Sequence, residues 1–401
     1  MTHYGEVHTR DAWETDRNHY GGDYEQSIPI ALIIFGDKSH FDKHGSLSTT
    51  PICFTLSCFN QSTRNKVDFW RPIAYLPNLN HGVVESQTTT STDSVQDEHN
   101  CISVALESLI NIGKQGGISF NLKGKAVIGK VWIHYIIGDI QGNNRWLGHF
   151  NGTGKLKMPY RDCKCGYCNM ANPNPCCVFI TQHDVDVAKS EKAKARSQTK
   201  KEEAMQNISK QDIDNAFMKG GVPLSDLTHG IYRMFPPELL HTTSEGITEY
   251  MIATLGKMIG SNTLGERIKE KIGLLHMKLY DDMKRKSERD FPLGAKRTSI
   301  LKNTKVGASE RRGNLFILLC ISCTDSAQDW LVPTLLEHNI NPTDYLDCLK
   351  LYLAMEVWFH ANNLIDEVQH ARPLIAHVIG LVQRVFPRSD GQGWHLPKHM
   401  V

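Results

Sequence analysis

The chain has 401 residues, 40% of them hydrophobic, enough for one large domain or two to three smaller ones with a sizeable core. Its 45 Lys and Arg nearly balance 43 Asp and Glu, giving a formal net charge of +2, so bulk charge decides nothing about nucleic acid and any such surface must be local. The start, MTHYGEVHTRDAWETDRNHY, is too polar for a signal peptide, and the lack of a run of about 18 apolar residues excludes an obvious membrane span. A nuclear or cytoplasmic protein is expected. In such a compartment the 11 cysteines, five of them between Cys163 and Cys177, read as metal ligands or reduced thiols before disulfides.

Residues 1–26 form a polar N-terminal segment. Three strands are predicted next, in IPIALIIF, TTPICFTLSCF and FWRPIAYLP, joined by short polar connections as in hairpins. Residues 80–98 read as a polar loop, and residues 99–116, HNCISVALESLINIGKQG, carry apolar residues at helical spacing. KAVIGKVWIHYIIGD is a near-continuous β-rich run, as expected of a strand buried on both faces. NMANPNPCC is turn-rich, and DVDVAKSEKAKARSQTKKEEAMQN reads as an exposed helix or linker. From 237 to 386 the pattern is almost wholly helical, beginning with the prolines of PPELLHTTSEGI.

Two of the predicted strands run into an aspartate, Asp37 and Asp139. Three strands, a helix and a fourth strand open a ribonuclease-H-like fold, in which the first and fourth strands lie side by side. The two carboxylates would then meet at one sheet edge. Hydrolysis of a phosphodiester needs an activated nucleophile and a stabilised leaving oxygen, which two divalent ions held by carboxylates supply. A third acid is also required. The plainer alternative is that each Asp only caps a strand-to-loop transition.

A second group is His149, Cys163, Cys165, Cys168, Cys176 and Cys177, within HFNGTGKLKMPYRDCKCGYCNMANPNPCC. The Cys165-x-x-Cys168 spacing suits a zinc knuckle, with the adjacent Cys176 and Cys177 or His149 completing a tetrahedral site; Cys163, Cys165, Cys168 and Cys176 are the candidate ligands. The alternative is a set of reduced thiols packing a small loop. Basic residues crowd Lys189–Lys201, where Glu191, Glu202 and Glu203 favour a solvated helix face. They crowd again from Lys284, Arg285 and Lys286 to Lys305, and at Arg311 and Arg312, where fewer acids favour contact with phosphates. Trp70, Trp132 and Trp146 are expected in the core.

Several segments, in order, resemble Plavaka-type transposases, relatives of the CACTA and Kyakuja-Dileera-Zisupton groups. IPIALIIFGDK, TPICFTLSCFN and PIAYLPN resemble the family's catalytic start, and IIGDIQGNNRWLGHFNG its Gly-Asp segment. YRDCKCGYCNM sits where the family has a Cys-rich knuckle; MFPPELLHTTSEGI resembles its Asp-x-x-His segment, with Glu238 in place of Asp and His241 as the histidine; GWHLPKHM resembles a segment near the end of such domains. The resemblance spans most of residues 28–399.

It implies a ribonuclease-H-like mixed α/β sheet with a large helical insertion and a helical C-terminal part: a core at 27–185, a charged linker and insertion at 186–305, and a completion of the core at 306–401. It implies a metal-dependent DNA transposase, if its acid triad is intact, with Mg²⁺ or Mn²⁺ held by Asp37, Asp139 and Glu310. Glu238 and Glu245 are the alternatives for the third acid. Zn²⁺ at the cysteines, DNA near Lys38 and the later basic run, and a homo-oligomer would follow, without a membrane or a small-molecule substrate. The competing readings are a decayed transposase scaffold that binds DNA, a plain nuclease of the same fold, and a zinc-stapled helical interaction protein.

Overall fold

The computed structural model describes residues 18, 27–40, 48–77, 91–150, 156–158, 160–166, 178–220, 222–224, 230–236, 240–284, 301, 308–360 and 365–387. Its contacts divide the chain into two compact units, residues 1–167 with 176–238, and residues 168–175 with 239–401. The division at 238/239 falls later than the expected boundary at 185/186.

One mixed sheet organises the first unit. Its strands are β1 (Ser27–Gly36), β2 (Ser39–His40), β3 (Ser48–Leu56), β4 (Arg71–Pro77), β5 (Ile118–Leu122) and β6 (Lys125–Ile137). β1 is rich in Ile and buries Ala31, Leu32, Ile33 and Ile34 in succession, so both its faces are covered. It pairs antiparallel with β3 and parallel with β6, while β4 adds antiparallel to the far edge of β3. β2 continues β1 along the same edge of β3. Beyond β6 the ladder goes on: Ile133 bridges Leu224 in parallel, and the Ile133 and Ile136 amides donate to Pro223 and Met234 carbonyls at 2.8 and 2.7 Å. The order is therefore β4-β3-β1-β6 followed by this irregular segment.

Parallel neighbours require a crossover. Here it is made by helices α1 (Ser91–Ala105) and α2 (Glu107–Lys114), broken at Leu106, and by β5, which returns as a hairpin onto β6. Lys123 and Gly124 at its tip both have positive φ, 51° and 84°, as a two-residue type I′ turn needs. The predicted loop over 80–98 therefore gives way to helix from Ser91, and β5 was not foreseen. The sheet packs Ile34, Ile52, Leu76, Ile133 and Ile136 against Ile102 and Leu106 of the crossover helices, with Trp146, Phe217 and Phe235 closing the core. Trp132 and Trp146 are buried, as expected, and Trp70 is half-buried.

The charged stretch after residue 181 is not a free linker. It forms α4 (Gln182–Lys194) and α5 (Gln198–Gln206), following the short α3 (Ile140–Trp146). Thr181 and Asp184 make a reciprocal capping box, and Val185, Ala188, Ala204 and Met205 bury one face. Lys189 and Lys192 pair with Asp212 at 3.6 and 2.5 Å, so part of the first basic run is neutralised by its own unit.

The second unit is helical, as predicted. A π-helix (Leu240–Thr248) leads into α6 (Glu249–Ile259) and α7 (Thr263–Lys284); α8 (Ala308–Ser322), α9 (Leu331–Glu337), α10 (Pro342–His360) and α11 (Ile365–Val385) follow. Leu255, Ile272, Leu315, Ile321, Leu335, Leu349, Val382 and Phe386 form its core. Among the described residues no single helix is long and apolar enough to cross a membrane.

His99 of α1 is fully buried. Its Nδ1 accepts from the Ala216 amide at 3.1 Å, so its Nε2–H donates to the Arg145 carbonyl at 3.2 Å. Burial lowers its pKa from 6.5 to about 4. The unfolded chain thus takes up a proton between these values that the folded chain refuses, and stability falls as pH drops from 6.5 to 4. The loss attributable to this ring approaches about 3 kcal/mol, since each tenfold change in proton affinity is worth about 1.4 kcal/mol. Denaturant unfolding at pH 7 and pH 4.5 checks this: the wild type should lose clearly more stability than His99→Gln, which keeps one acceptor and one donor. Equal losses would contradict the account.

Candidate active site

Asp37 and Asp139 follow directly on β1 and β6, so the pairing of these strands decides whether they meet. From Ser27 to Leu32 each β1 residue faces the β6 residue 101 positions later; from Ile33 to Phe35 the partner lies 102 positions later. The shift is a bulge on β6 that leaves His134 as the extra residue between Ile133 and Tyr135. Continued past its last pair, Phe35 against Ile137, the later register would set Asp37 beside Asp139. Without the bulge Asp37 would lie opposite Gly138. Adjacent strands are about 4.8 Å apart, so Asp37 and Asp139 follow neighbouring strand ends at one sheet edge.

The edge is built for close approach. A Cβ on Gly138 would lie 2.5 Å from the Gly36 carbonyl oxygen and 3.0 Å from Asn143 Oδ1, and a Cβ on Gly36 would overlap the Trp146 ring. That ring is held in place: its Nε1 donates to Glu98 Oε1 at 2.8 Å, while Arg145 pairs with Glu98 Oε2 at 2.6 Å. Asn143 is buried and its Nδ2 donates to the Gly138 carbonyl at 3.0 Å, fixing the backbone just before Asp139. Asp139 is the N-cap of α3, its Oδ1 accepting from the Gly142 amide. The capping role is thus real for Asp139, and it occupies one of the two oxygens. Asp37 is half-buried, while Lys38 and His40 beside it are exposed.

Two carboxylates at adjacent strand ends suit a hard divalent cation such as Mg²⁺ or Mn²⁺, which takes oxygen ligands. Of the proposed third acids, Glu310 is in the opening turn of α8 in the second unit, and Glu245 and His241 are in the π-helix. The side chains of these three, and Glu238 altogether, lie outside the described residues, as do Arg285, Lys286 and the Lys284 side chain. Among the described residues no group of three or more His, Cys, Asp or Glu side chains is placed to hold a metal ion.

Two of the expected DNA contacts are engaged internally. The Arg311 side chain is only 12% exposed and pairs with Glu249 at 3.1 Å. Arg312 lies 3.9 Å from Glu356, a buried carboxyl that also accepts from Tyr352 at 3.3 Å; burial, opposed by Arg312, raises its pKa. These arginines therefore neutralise carboxylates of their own unit.

The cysteine group differs from its expectation. Cys163 is in a disulfide whose partner lies outside the described residues, together with Cys168, Cys176 and Cys177. Cys165 is buried; its amide donates to Cys163 Sγ at 3.3 Å and its thiol to the Gly166 carbonyl at 3.4 Å. Sequence spacing cannot reveal such pairing.

Sequence reasoning missed the bulge and the clasp of Glu98, Arg145 and Trp146. The signal for the bulge was present: His134 is a polar residue inside an otherwise apolar strand. The clasp joins residues 47 and 48 positions apart, which no local pattern marks.

Gly36→Ala forces the anchored Trp146 ring or β1 to move and should cost about 1–3 kcal/mol, the usual penalty of overpacking. An unchanged denaturation midpoint would contradict this packing. Because a cysteine ligates zinc only as the thiolate, a zinc site that uses Cys163 should fill only after reduction, and equilibrium dialysis should show one more Zn²⁺ per chain with reductant than without. Equal Zn²⁺ uptake with and without reductant would count against it.

No protein-family model matches this chain, and no curated protein matches it either.

Proposed function

We propose that the chain is a metal-dependent DNA-strand-cleaving protein of the DDE transposase type, with DNA as its partner and the nucleus as its place of action. The observation that supports this reading is the register of two parallel strands after the bulge, Phe35 against Ile137, which when continued would set Asp37 beside Asp139. The sheet order β4-β3-β1-β6, with β1 antiparallel to β3 and parallel to β6, supports a ribonuclease-H-like core. The resemblance of several ordered segments to Plavaka-type transposases supports the same reading independently of the strand pairing.

In this proposal Asp37 and Asp139 hold the cation, with Asp139 offering the oxygen that does not cap α3. Glu310 is the third acid. A bound Mg²⁺ or Mn²⁺ supplies activation of a water or 3′-hydroxyl and stabilisation of the leaving oxygen. Asn143 and the Gly36–Gly138 contact keep the two strand ends close, so the acids need no rearrangement when substrate arrives. Lys38, exposed next to Asp37, contacts the backbone phosphate of the strand.

Plasmid nicking tests the proposal. The purified chain should nick DNA with Mn²⁺ or Mg²⁺ and not with EDTA. Asp37→Asn and Asp139→Asn should each lower the rate by about 100-fold or more, the scale of losing one preorganised electrostatic stabiliser. Glu310→Gln should match them. Equal nicking by wild type and Asp139→Asn would overturn the assignment. Salt-sensitive DNA binding without metal-dependent nicking would replace it with a DNA-binding scaffold.

A further inference from the structure

The ladder on the other side of β1 fixes what stands across from Asp37. Gly36 faces Ile52 of β3 and, after a break, Ser39 and His40 of β2 face Thr49 and Ser48. Counting inward from either side gives the same register, so Asp37 lies opposite Pro51. Pro51 in turn faces Tyr75 of β4. Asp37, Pro51 and Tyr75 thus form one row across the sheet.

Directly opposed residues on antiparallel neighbours turn their side chains to the same face, with Cα atoms about 4.5–5.5 Å apart. Tyr75 therefore shares a face with Asp37, and two such steps put its Cα about 10 Å away. Along β3 this face opens toward the row: Thr55 is buried, while Cys53 and Pro51 are half-buried. Tyr75 is 64% exposed, and Pro77, opposite Thr49, is exposed on the same face. The Tyr75 side chain makes no hydrogen bond or ring contact with any described residue.

A single exposed tyrosine is ordinary. What sets this one apart is its row and its surroundings. β4 is a poor seat for a second strand: Pro72 and Pro77 have no N–H to pair, and Ile73 is an extra residue, since Ala74 faces Ile52 and Pro72 faces Cys53. What β4 offers beside the acids is therefore the flat apolar surface of Tyr75, Pro51 and Pro77, not a backbone edge. Exposed aromatic rings of this kind hold single-stranded nucleic acid, because every base has a face that stacks on them.

We propose that Tyr75 is a substrate-positioning residue whose ring stacks on an unpaired base of the DNA strand held at Asp37 and Asp139, with Pro51 and Pro77 as the floor beneath that base. The distance of about 10 Å corresponds to about three steps of a stacked strand, each about 3.4 Å. This rests on the proposed function, which names DNA as the substrate.

Binding and nicking are measured side by side on the full chain, with single-stranded oligonucleotides carrying 2-aminopurine and with plasmid. The wild type should quench 2-aminopurine at a position near the cut. Tyr75→Ala should lose that quenching and bind the single strand about five- to a hundredfold more weakly, the worth of one stacked base. In nicking it should raise KM by more than it lowers kcat, as loss of a binding contact does. Tyr75→Phe and Tyr75→Trp, which keep a ring, should restore most of the affinity and of KM. The thermal midpoint of Tyr75→Ala should stay near wild type, because the side chain is exposed. Wild-type nicking matched by Tyr75→Ala in both KM and affinity would overturn the proposal and leave the acid site standing. DNA binding without metal-dependent nicking would count against the acid site alone; weaker binding by Tyr75→Ala would then still support the stacking contact, and equal binding would overturn it. A wild type that binds no DNA would overturn both. A dimer in light scattering that Tyr75→Ala dissolves, with DNA affinity per chain unchanged, would assign this face to a contact between copies and overturn the proposal.

Discussion

Parallel pairing of β1 with β6 is the constraint on which the first unit depends. It buries the most apolar strand of the chain on both faces, and it forces the crossover through α1 and α2. It also sets the chemistry, because side chains of paired strands either share a face or oppose it, and a slip of one residue exchanges the faces. The extra residue at His134 makes this slip once, inside the core. Below it the strands pair in a register that would leave Asp37 facing Gly138; above it the register, continued past Phe35 and Ile137, would bring Asp37 level with Asp139. A bulge costs a ladder hydrogen bond and strains the local twist. Here the ring of His134 packs 4.2 Å from that of Tyr135, and on the other edge of β6 the Ile133 and Ile136 amides on either side of the bulge donate to the Pro223 and Met234 carbonyls.

The edge so formed is held by groups well behind it. Glu98 accepts from both Arg145 and Trp146, and its neighbour on α1 makes the buried His99–Ala216 contact. The Arg145–Glu98 pair is partly shielded, with side chains 31% and 14% exposed, so it is screened less than a surface pair and depends more on its geometry. Through Trp146 it packs on Gly36, and through α3 it reaches Asp139. The backbone just before Asp139 is thus positioned by core packing rather than by loop conformation.

Much of the sheet was legible in the residues. β1, β3, β4 and β6 are runs of branched and aromatic residues bounded by turn signals, and two of them visibly end in Asp. β5 was not legible because ISFNL is short and mostly exposed, so neither length nor apolar period marks it. The start of α1 was hidden because STDSVQDE is almost wholly polar, and among its described side chains only Val95 is buried. The register between two strands 100 residues apart has no local signature beyond the polar His134 in an apolar run, yet it decides whether Asp37 and Asp139 can be partners. The same reason hid Lys210, a lysine between Ser and Gln that tertiary contacts alone carry into the interior. For Arg311 and Arg312 the charge pattern pointed outward, while the fold supplies Glu249 and Glu356 as partners.

The central claim is that Asp37 and Asp139 share a divalent cation. The most direct measurement is anomalous diffraction from crystals of the chain soaked in Mn²⁺. The account predicts an ion within about 2.0–2.6 Å of one carboxylate oxygen from each residue, the range of hard-cation coordination. Manganese bound elsewhere, or absent from this edge at saturating concentration while Asp139 keeps its cap on α3, would contradict it.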